Sequence, residues 1–441
     1  MPLLPKKLTS SQIIVLGFMG AILLGALLLM LPISTADGKG ASFADALFTA
    51  TSATCVTGLV VQDTATYWSG FGQGVILTMI QVGGMGVVTF AVAISVASGR
   101  KIGLMQRSTM QEAISAPQMG GIVKLTGFIL KTTAIIELSG AILLSPAFIK
   151  EFGVGKGIWY SVFHSISAFC NAGFDLMGAK EKFSSLTSFV DNPLVNIVIM
   201  LLIIIGGIGF LVWEDVKTNK FHLHKYRMQT KIVLLTSLIL ILLPALYFFI
   251  AFSDADAPTR IFGSLFQSIT TRTAGFNTVD LTKLNSGGVS IMIVLMLIGG
   301  SPGSTAGGMK TTTFAVVILT AISVFRRKEH TNFAGRSIAD SVLRNAIAIV
   351  TMYVFLFLTG GVVITIIEGL PMMTCMFETA SAIGTVGLTL GITPQLSAAS
   401  RLILIFLMYI GRVGGLTLLF SAVTPGQGSM SRLPQEKLTV G

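Results

Sequence analysis

The chain has 441 residues, of which 52% are hydrophobic and only 11% are charged. An average soluble domain carries roughly 25% charged residues, so a soluble protein of this length would lack the charged surface that it needs. The composition excludes a soluble enzyme and predicts a protein that crosses the membrane several times. The net charge is +11, but no basic run is interleaved with exposed aromatic residues, so we expect no nucleic-acid partner.

Long apolar segments predict an all-α polytopic membrane protein with eight transmembrane helices. Two of the segments contain charged residues: 123–148 contains Lys131 and Glu137, and 402–423 contains Arg412. A helix needs roughly 20 residues to cross the hydrocarbon core. Six further segments reach that length and contain no Asp, Glu, Lys or Arg, namely 8–36, 64–99, 192–213, 232–253, 284–309 and 345–367.

Four apolar segments between these spans are too short to cross the membrane. Each has about ten to twelve residues and leads into a short glycine-containing sequence. Segments of this length are typical of re-entrant helices, and the alternative is four amphipathic helices on the surface. The segments are 43–54, 159–169, 262–271 and 372–382.

An internal repeat favours the re-entrant interpretation. Four segments align on the glycines Gly58, Gly173, Gly275 and Gly387, which are 115, 102 and 112 residues apart. A long fixed period indicates repeated structural units. The unit is a helix, a re-entrant pore helix, a glycine strand and a second helix, and we expect four tandem copies around one central pore. The predicted repeats are 1–110, 111–220, 221–328 and 329–441. A second glycine cluster follows each of the four aligned glycines, at 83–86, 206–209, 299–303 and 411–414.

The distribution of Lys and Arg predicts the topology. Eighteen of them lie in the N-terminus, the loops between repeats and the C-terminal tail, whereas nine lie on the side of the glycine strands. The side richer in positive charge is normally cytoplasmic. We therefore expect both termini inside the cell and the four glycine strands to open outward.

Four glycine strands around one axis suit the passage of a cation. A cation that crosses the membrane must exchange its hydration shell for oxygen ligands, and rings of backbone carbonyls supply these without fixed charge. Glycine accommodates the backbone conformations that such a ring requires. The alternative, that these glycines only allow helices to pack closely, is much weaker for four glycines in register.

The segments 53–59, 167–174, 272–277 and 381–388 resemble the four filters of the Trk/Ktr/HKT potassium transporter superfamily. Within it the chain is most similar to the KtrB branch, the membrane subunit of bacterial Ktr systems. The resemblance implies K⁺ uptake, often supported by Na⁺, with no cofactor in this chain. It also implies a homodimer in the bacterial cell membrane, with one pore per subunit, on a separate cytosolic ring of nucleotide-binding RCK subunits.

The resemblance implies a role for particular residues of the filter. Four glycines, rather than a serine at the first position, favour K⁺ over Na⁺. Cys55 stands where the family more often has Thr or Ser, which matters little if a carbonyl is the ligand. The predicted filter consists of Cys55, Val56, Thr57 and Gly58, then Cys170, Asn171, Ala172 and Gly173, then Arg272, Thr273, Ala274 and Gly275, and finally Gly384, Thr385, Val386 and Gly387.

Ionisable residues near the filter have two interpretations. Three acidic residues follow filter glycines: Asp63, Asp175 and Asp280. They either form an acidic outer vestibule that concentrates cations or are ordinary solvated loop charges.

Arg272 lies within the third filter segment and needs a partner at this depth in the membrane. We expect it to brace its strand from behind, with Glu378 as the candidate partner.

A glycine-rich segment interrupts the predicted span after the third filter. Pro302 removes a backbone donor and the glycines lower helix propensity, so the span must break there. The resemblance makes this segment an intramembrane gating loop and Arg412 an electrostatic barrier beside it; the alternative is a kink that only eases packing. Lys310 and Glu137 are expected to pair. The predicted gate consists of Gly300, Ser301, Pro302, Gly303, Ser304, Thr305, Ala306, Gly307, Gly308 and Arg412.

Two other classes of function compete with a K⁺-selective, channel-like transporter. An alternating-access carrier for another cation or small solute would predict inverted repeats and a binding pocket at the midplane of the membrane. A membrane-embedded enzyme would need a nucleophile with its base or a metal cluster. The four scattered histidines offer neither: they are His164, His222, His224 and His330.

Overall fold

The protein is described here by a computed structural model, and it is mostly helical. The structure describes residues 8–97, 102–114 and 120–422. Some of the basic residues that predict the topology lie outside the described residues. They belong to both termini and to part of the loop between the first two predicted repeats. The topology therefore remains a prediction.

The described residues form seventeen α-helices and one small β-hairpin. The hairpin pairs β1 (Asn332–Phe333) with β2 (Arg336–Ser337) in a basic loop. In chain order the helices are α1 (Ser10–Leu29), α2 (Phe43–Thr54), α3 (Gly70–Met85), α4 (Val87–Ala97), α5 (Leu104–Ala113), α6 (Ile122–Phe152), α7 (Val154–Phe169), α8 (Pro193–Gly207), α9 (Phe210–Asn219), α10 (Met228–Ala251), α11 (Ser264–Thr270), α12 (Ser286–Leu297), α13 (Thr311–Phe325), α14 (Asp340–Glu368), α15 (Met372–Gly384), α16 (Ala398–Val413) and α17 (Gly415–Ala422).

Four helices are long and apolar enough to cross a membrane as single elements: α1, α6, α10 and α14. The first of them starts with a capping box, in which Thr9 and Gln12 satisfy each other's backbone N–H groups. The pair α8–α9 is a fifth candidate span, although it is bent by 94°. The predicted total of eight spans remains a prediction.

Three other predicted spans are not continuous helices, which corrects the sequence analysis. The segments 64–99, 192–213 and 402–423 break between α3 and α4, α8 and α9, and α16 and α17. A glycine with left-handed backbone lies at each break, where a side chain would be strained: Gly86 (φ 86°), Gly209 (φ 99°) and Gly414 (φ 88°). The break that was predicted in the third repeat lies between α12 and α13.

The four short helices form the centre of the molecule. Consecutive residues of each helix are buried, so that part of each helix is buried on every face: 48–54 in α2, 163–165 and 167–169 in α7, 266–270 in α11 and 377–384 in α15. A surface helix would leave one polar face in solvent. The alternative interpretation of these segments as amphipathic surface helices is therefore wrong.

Candidate ion pathway

The same backbone conformation follows each of the four short helices. The glycines Gly58, Gly173, Gly275 and Gly387 have φ values of 95°, 68°, 82° and 94°. L-residues rarely adopt positive φ, yet a residue two positions before each glycine also does so. These residues before the glycines are Val56 (57°), Asn171 (59°), Thr273 (69°) and Thr385 (51°). In each strand two left-handed residues therefore flank one residue of negative φ.

The four glycine strands form a closed ring. A β-carbon on Gly58 would lie 2.5 Å from the carbonyl oxygen of Ala172, and one on Gly173 would lie 2.7 Å from that of Ala274. A β-carbon on Gly275 would clash with the carbonyl oxygen of the residue before Gly387, which is Val386. The ring closes because a β-carbon on Gly387 would clash in turn with the carbonyl oxygen of Thr57.

A hydroxyl group on each short helix fixes the strand that follows it. Ser52 accepts from the N–H of Gly58 (3.1 Å), and Ser381 does so from the N–H of Gly387 (3.0 Å). In the other two segments, the hydroxyl groups of Ser167 and Thr270 donate to the carbonyl groups of Phe174 and Phe276. The sequence analysis missed these residues, although the serine recurs six positions before the glycine in three of the four aligned segments.

Glycines of the second helices allow the closest approach to the short helices. A β-carbon on Gly83 would clash with the carbonyl oxygen of Thr54, and one on Gly206 would clash with that of Phe169. Gly411 stands in the same relation to α15. The second glycine clusters therefore allow α3, α8 and α16 to support the helix ends on which the ring is mounted.

The segment between α12 and α13 is a loop with a closed neck. The N–H of Gly299 donates to the carbonyl of Met309 (2.7 Å), and the N–H of Thr311 donates to that of Gly300 (3.0 Å). Residues 300–308, called the 300–308 loop below, therefore leave the helix axis and return to it. The loop lies directly against the fourth glycine strand, because a β-carbon on Gly307 would clash with the hydroxyl of Thr385.

The 300–308 loop fills the gap in the broken second helix of the second repeat. The N–H groups of Ser301 and Thr305 donate to the carbonyls of Gly207 (3.0 Å) and Gly206 (3.2 Å), at the end of α8. The N–H of Phe210, at the start of α9, donates to the carbonyl of Gly303 (2.6 Å). The backbone groups that the helix break leaves without intrahelical partners are thus satisfied by the loop.

Arg412 connects the loop to two further helices. Its guanidinium donates to the carbonyl of Thr305, and also to the carbonyls of Gly83 and Gly84 at the C-terminal end of α3. The N–H of Gly308 donates to the carbonyl of the residue before Arg412 (3.0 Å). A cationic side chain thus holds the loop and lies where the dipole of α3 is negative.

The expected pair between Lys310 and Glu137 does not form. The ammonium group of Lys310 donates to the loop carbonyls of Ala306 (2.8 Å) and Gly307 (3.3 Å). One carboxylate oxygen of Glu137 accepts from the amide of Gln81 (3.1 Å). Lys310 therefore stabilises the loop through its own neighbours in the chain.

The expected pair between Arg272 and Glu378 is also wrong. Glu378 is fully buried, and its two oxygens accept from the hydroxyl groups of Thr389 and Thr393.

His164 is packed on the second short helix. Its Nδ1 atom contacts the carbonyl of Tyr160 (2.7 Å), and its Nε2 atom accepts from a backbone N–H. This arrangement requires the neutral ring.

The three acidic residues that follow the strands in the chain differ in exposure. Asp63 is only 7% exposed, and its carboxylate accepts from Thr66 and, across to the second repeat, from the N–H of Phe183 (3.1 Å). The hydrogen bond from Thr282 holds the pKa of Asp280 below its usual value, so this exposed carboxylate is ionised at neutral pH. Asp175 accepts from a nearby backbone N–H.

Asp63→Asn is expected to lower the free energy of unfolding by about 1–3 kcal/mol, because partly buried N–H groups would lose a charged acceptor. Thermal unfolding in detergent would measure the change. The matched control is Asp280→Asn, which alters an exposed carboxylate and should change stability by less than about 0.5 kcal/mol. Equal losses in the two variants would contradict the structural role of Asp63.

Residues 8–432 match the family model described as "TrkH: Cation transport protein". The chain belongs to this family. It is 41% identical to "Ktr system potassium uptake protein B" of Bacillus subtilis, over 99% of this chain and 97% of that protein. It is 37% identical to "Potassium/sodium uptake protein NtpJ" of Enterococcus hirae, over 99% of this chain and 98% of that protein. The resemblance stated from the sequence is thus confirmed.

A solved structure has the same fold. The potassium transporter TrkH from Vibrio parahaemolyticus matches with a TM-score of 0.74, covering 96% of this chain and 86% of that one, at 20% sequence identity. Together with the apolar helices, the family membership makes this chain a membrane protein of a cation transport family. The proteins that it resembles are transporters and not enzymes.

Proposed function

We propose that the protein is a K⁺-selective, channel-like transporter and the membrane subunit of a Ktr-type potassium uptake system. The closed ring of the four glycine strands carries the proposal. The ring places backbone carbonyls of four segments around one axis, and carbonyl oxygens can replace the hydration shell of K⁺. The relatives named for potassium uptake, which match almost the whole chain, support K⁺ as the ion.

In this proposal the chain is made of four helix–pore-loop–helix repeats, and eight spans surround one pore. The filter consists of residues 55–58, 170–173, 272–275 and 384–387. The glycine strands open to the outside, and both termini lie in the cytoplasm. The ionised carboxylate of Asp280 contributes to the outer vestibule, together with Asp175, whereas the buried carboxylate of Asp63 fixes the surrounding loops.

The 300–308 loop is the proposed gate. It lies against the fourth filter strand, and the hydroxyl of Thr305 is 3.3 Å from the side-chain oxygen of Asn171 in the second strand. On its other side the loop borders a cavity that is lined by Gly303, Lys310 and Arg412, and by none of the filter residues. An ion that leaves the filter must therefore pass the loop and two cationic side chains.

The proposal includes two partners. The first is a second copy of this chain, which would form a membrane homodimer with one pore in each subunit. The second is a cytosolic ring of nucleotide-binding RCK subunits that moves the gate. The exposed basic residues around α9 and the β-hairpin give such a ring a contact surface. Na⁺ is proposed as an activator, in line with the relative named for potassium and sodium uptake.

Rubidium uptake tests the proposed function. A bacterial strain that lacks its own K⁺ uptake should accumulate radioactive rubidium when it expresses this chain together with a cytosolic Ktr subunit. Excess K⁺ should compete with rubidium far better than Na⁺ does. Uptake of an organic solute without rubidium uptake would favour the alternating-access carrier and contradict the proposal.

A further inference from the structure

Arg272 has an unusual environment for a charged side chain. It belongs to the third filter strand and is only 7% exposed. Within the described part of the chain its side chain forms no ion pair, and its Nε atom is buried without a hydrogen-bond partner. Arg412, by contrast, donates to three carbonyl groups.

A buried guanidinium nitrogen without a partner is energetically unfavourable. Buried charges are normally paired or hydrogen-bonded, and an uncompensated buried charge costs several kcal/mol. A site that retains such a group is a candidate for function. One physical role for an unsatisfied donor is to meet its acceptors in a second conformation of the protein.

The side chain borders a small cavity at the base of the 300–308 loop. Two of the other lining residues are Gly207, at the end of α8, and Gly300, at the start of the loop. The remaining lining residues are isoleucines, whose side chains carry no polar atoms: Ile203, Ile204, Ile241 and Ile269. The polar groups that line the cavity besides Arg272 are therefore backbone groups, and those of Gly207 and Gly300 are among them.

Movement of the loop would release acceptors at this cavity. The carbonyls of Gly206 and Gly207 accept from the N–H groups of Thr305 and Ser301 in the described position of the loop. If the loop moves away, these carbonyls lose their donors inside the membrane, which is costly for each group. Arginine carries five N–H donors in a fixed planar fork and can replace more than one lost bond.

We propose that Arg272 is a positioning residue that stabilises the displaced, conducting position of the 300–308 loop. Arg412 stabilises the described position of the loop. Arg272 stabilises the displaced position, because it donates to the carbonyls that the loop releases. Two arginines thus bias one two-state element in opposite directions. The inference rests on the proposed role of the loop as the gate.

Arg272→Gln tests the proposal by two measurements, the rubidium flux and the accessibility of the 300–308 loop to a thiol reagent. In liposomes with the cytosolic subunit, we expect rubidium flux to fall at least about fivefold, which is the lower end of typical coupling between sites. We expect Arg272→Lys to give an intermediate flux, because it keeps the charge but loses the fork. The matched control is Arg260→Gln, which removes a guanidinium of the same repeat that stacks on Phe249.

Ser304→Cys reports the position of the loop without relying on transport. The native cysteines Cys55, Cys170 and Cys375 are buried, so a thiol reagent added from the cytoplasmic side would modify mainly the introduced thiol. We expect Arg272→Gln to slow this modification about as strongly as it lowers flux. If Arg272→Gln does not fold, as judged by gel filtration, Arg272→Lys carries the same comparison.

A variant that lacks residues 303–307 separates the loop from the filter. In that background Arg272→Gln should leave flux unchanged, because the element that Arg272 stabilises is absent. An equal loss of flux with and without the loop would overturn the proposal and place the role of Arg272 in the filter. Unchanged modification of Ser304→Cys would also overturn it. If even the unmodified chain carries no rubidium, the proposed function fails, and the modification rates still decide the role of Arg272.

Discussion

Deleting residues 303–307 should raise K⁺ flux by about tenfold or more and make it largely independent of the cytosolic subunit. The segment lies against the proposed filter and carries Thr305, whose backbone and hydroxyl contact α8, the second proposed filter strand and Arg412. Removing these bonds and the backbone itself takes away the obstruction in the pathway. Lowering a barrier by about 1.4 kcal/mol gives a tenfold higher rate.

Flux would be measured in liposomes, with and without the cytosolic subunit, for the full chain and the deletion variant. Arg412→Ala should raise flux more weakly, because the loop keeps its bonds to Gly206 and Gly207. Arg260→Ala is the matched arginine control, because its guanidinium stacks on Phe249 and donates to the carbonyl of the same residue, and it should leave flux unchanged. A folded deletion variant that still requires the cytosolic subunit would show that the loop is not the regulated gate.

The sequence predicts the four ring glycines and the position of the third-repeat break because both leave local signals. Glycine recurs at a fixed position behind each short apolar segment, and the ring places these glycines where no β-carbon fits. Pro302 and its neighbouring glycines cannot continue a helix. In each case the residue type that is visible in the sequence, glycine or proline, also determines the local backbone in the structure.

The other breaks and the contacts of the charged residues leave no such signal. Gly86, Gly209 and Gly414 lie in glycine clusters that were noticed, but glycine is common in membrane helices and its presence does not reveal the sign of φ. The partners of Lys310 are backbone carbonyls, which every residue carries. A search for side chains of opposite charge therefore paired Lys310 with Glu137 and Arg272 with Glu378, and both pairs are wrong.

Gly58→Ser should reduce the preference for K⁺ over Na⁺ by about tenfold, equivalent to about 1.4 kcal/mol, while leaving the protein folded. Gly58 has a φ of 95°, and its β-carbon would lie 2.5 Å from the carbonyl oxygen of Ala172. Since a backbone oxygen must then move, one corner of the ring changes its distance to the ion. The added hydroxyl also offers a ligand that a smaller ion can approach.

Competition of K⁺ and Na⁺ against rubidium uptake would measure the preference. Gly74→Ser is the matched control, because this glycine lies in α3 with nothing within 4 Å of a β-carbon. It should retain the preference of the unmodified chain. The two glycines differ in whether a neighbouring strand limits the space, so a difference between the variants isolates the ring from general effects of serine. If Gly58→Ser is folded and keeps the same preference as Gly74→Ser, the carbonyl next to Gly58 does not contribute to selection of the ion.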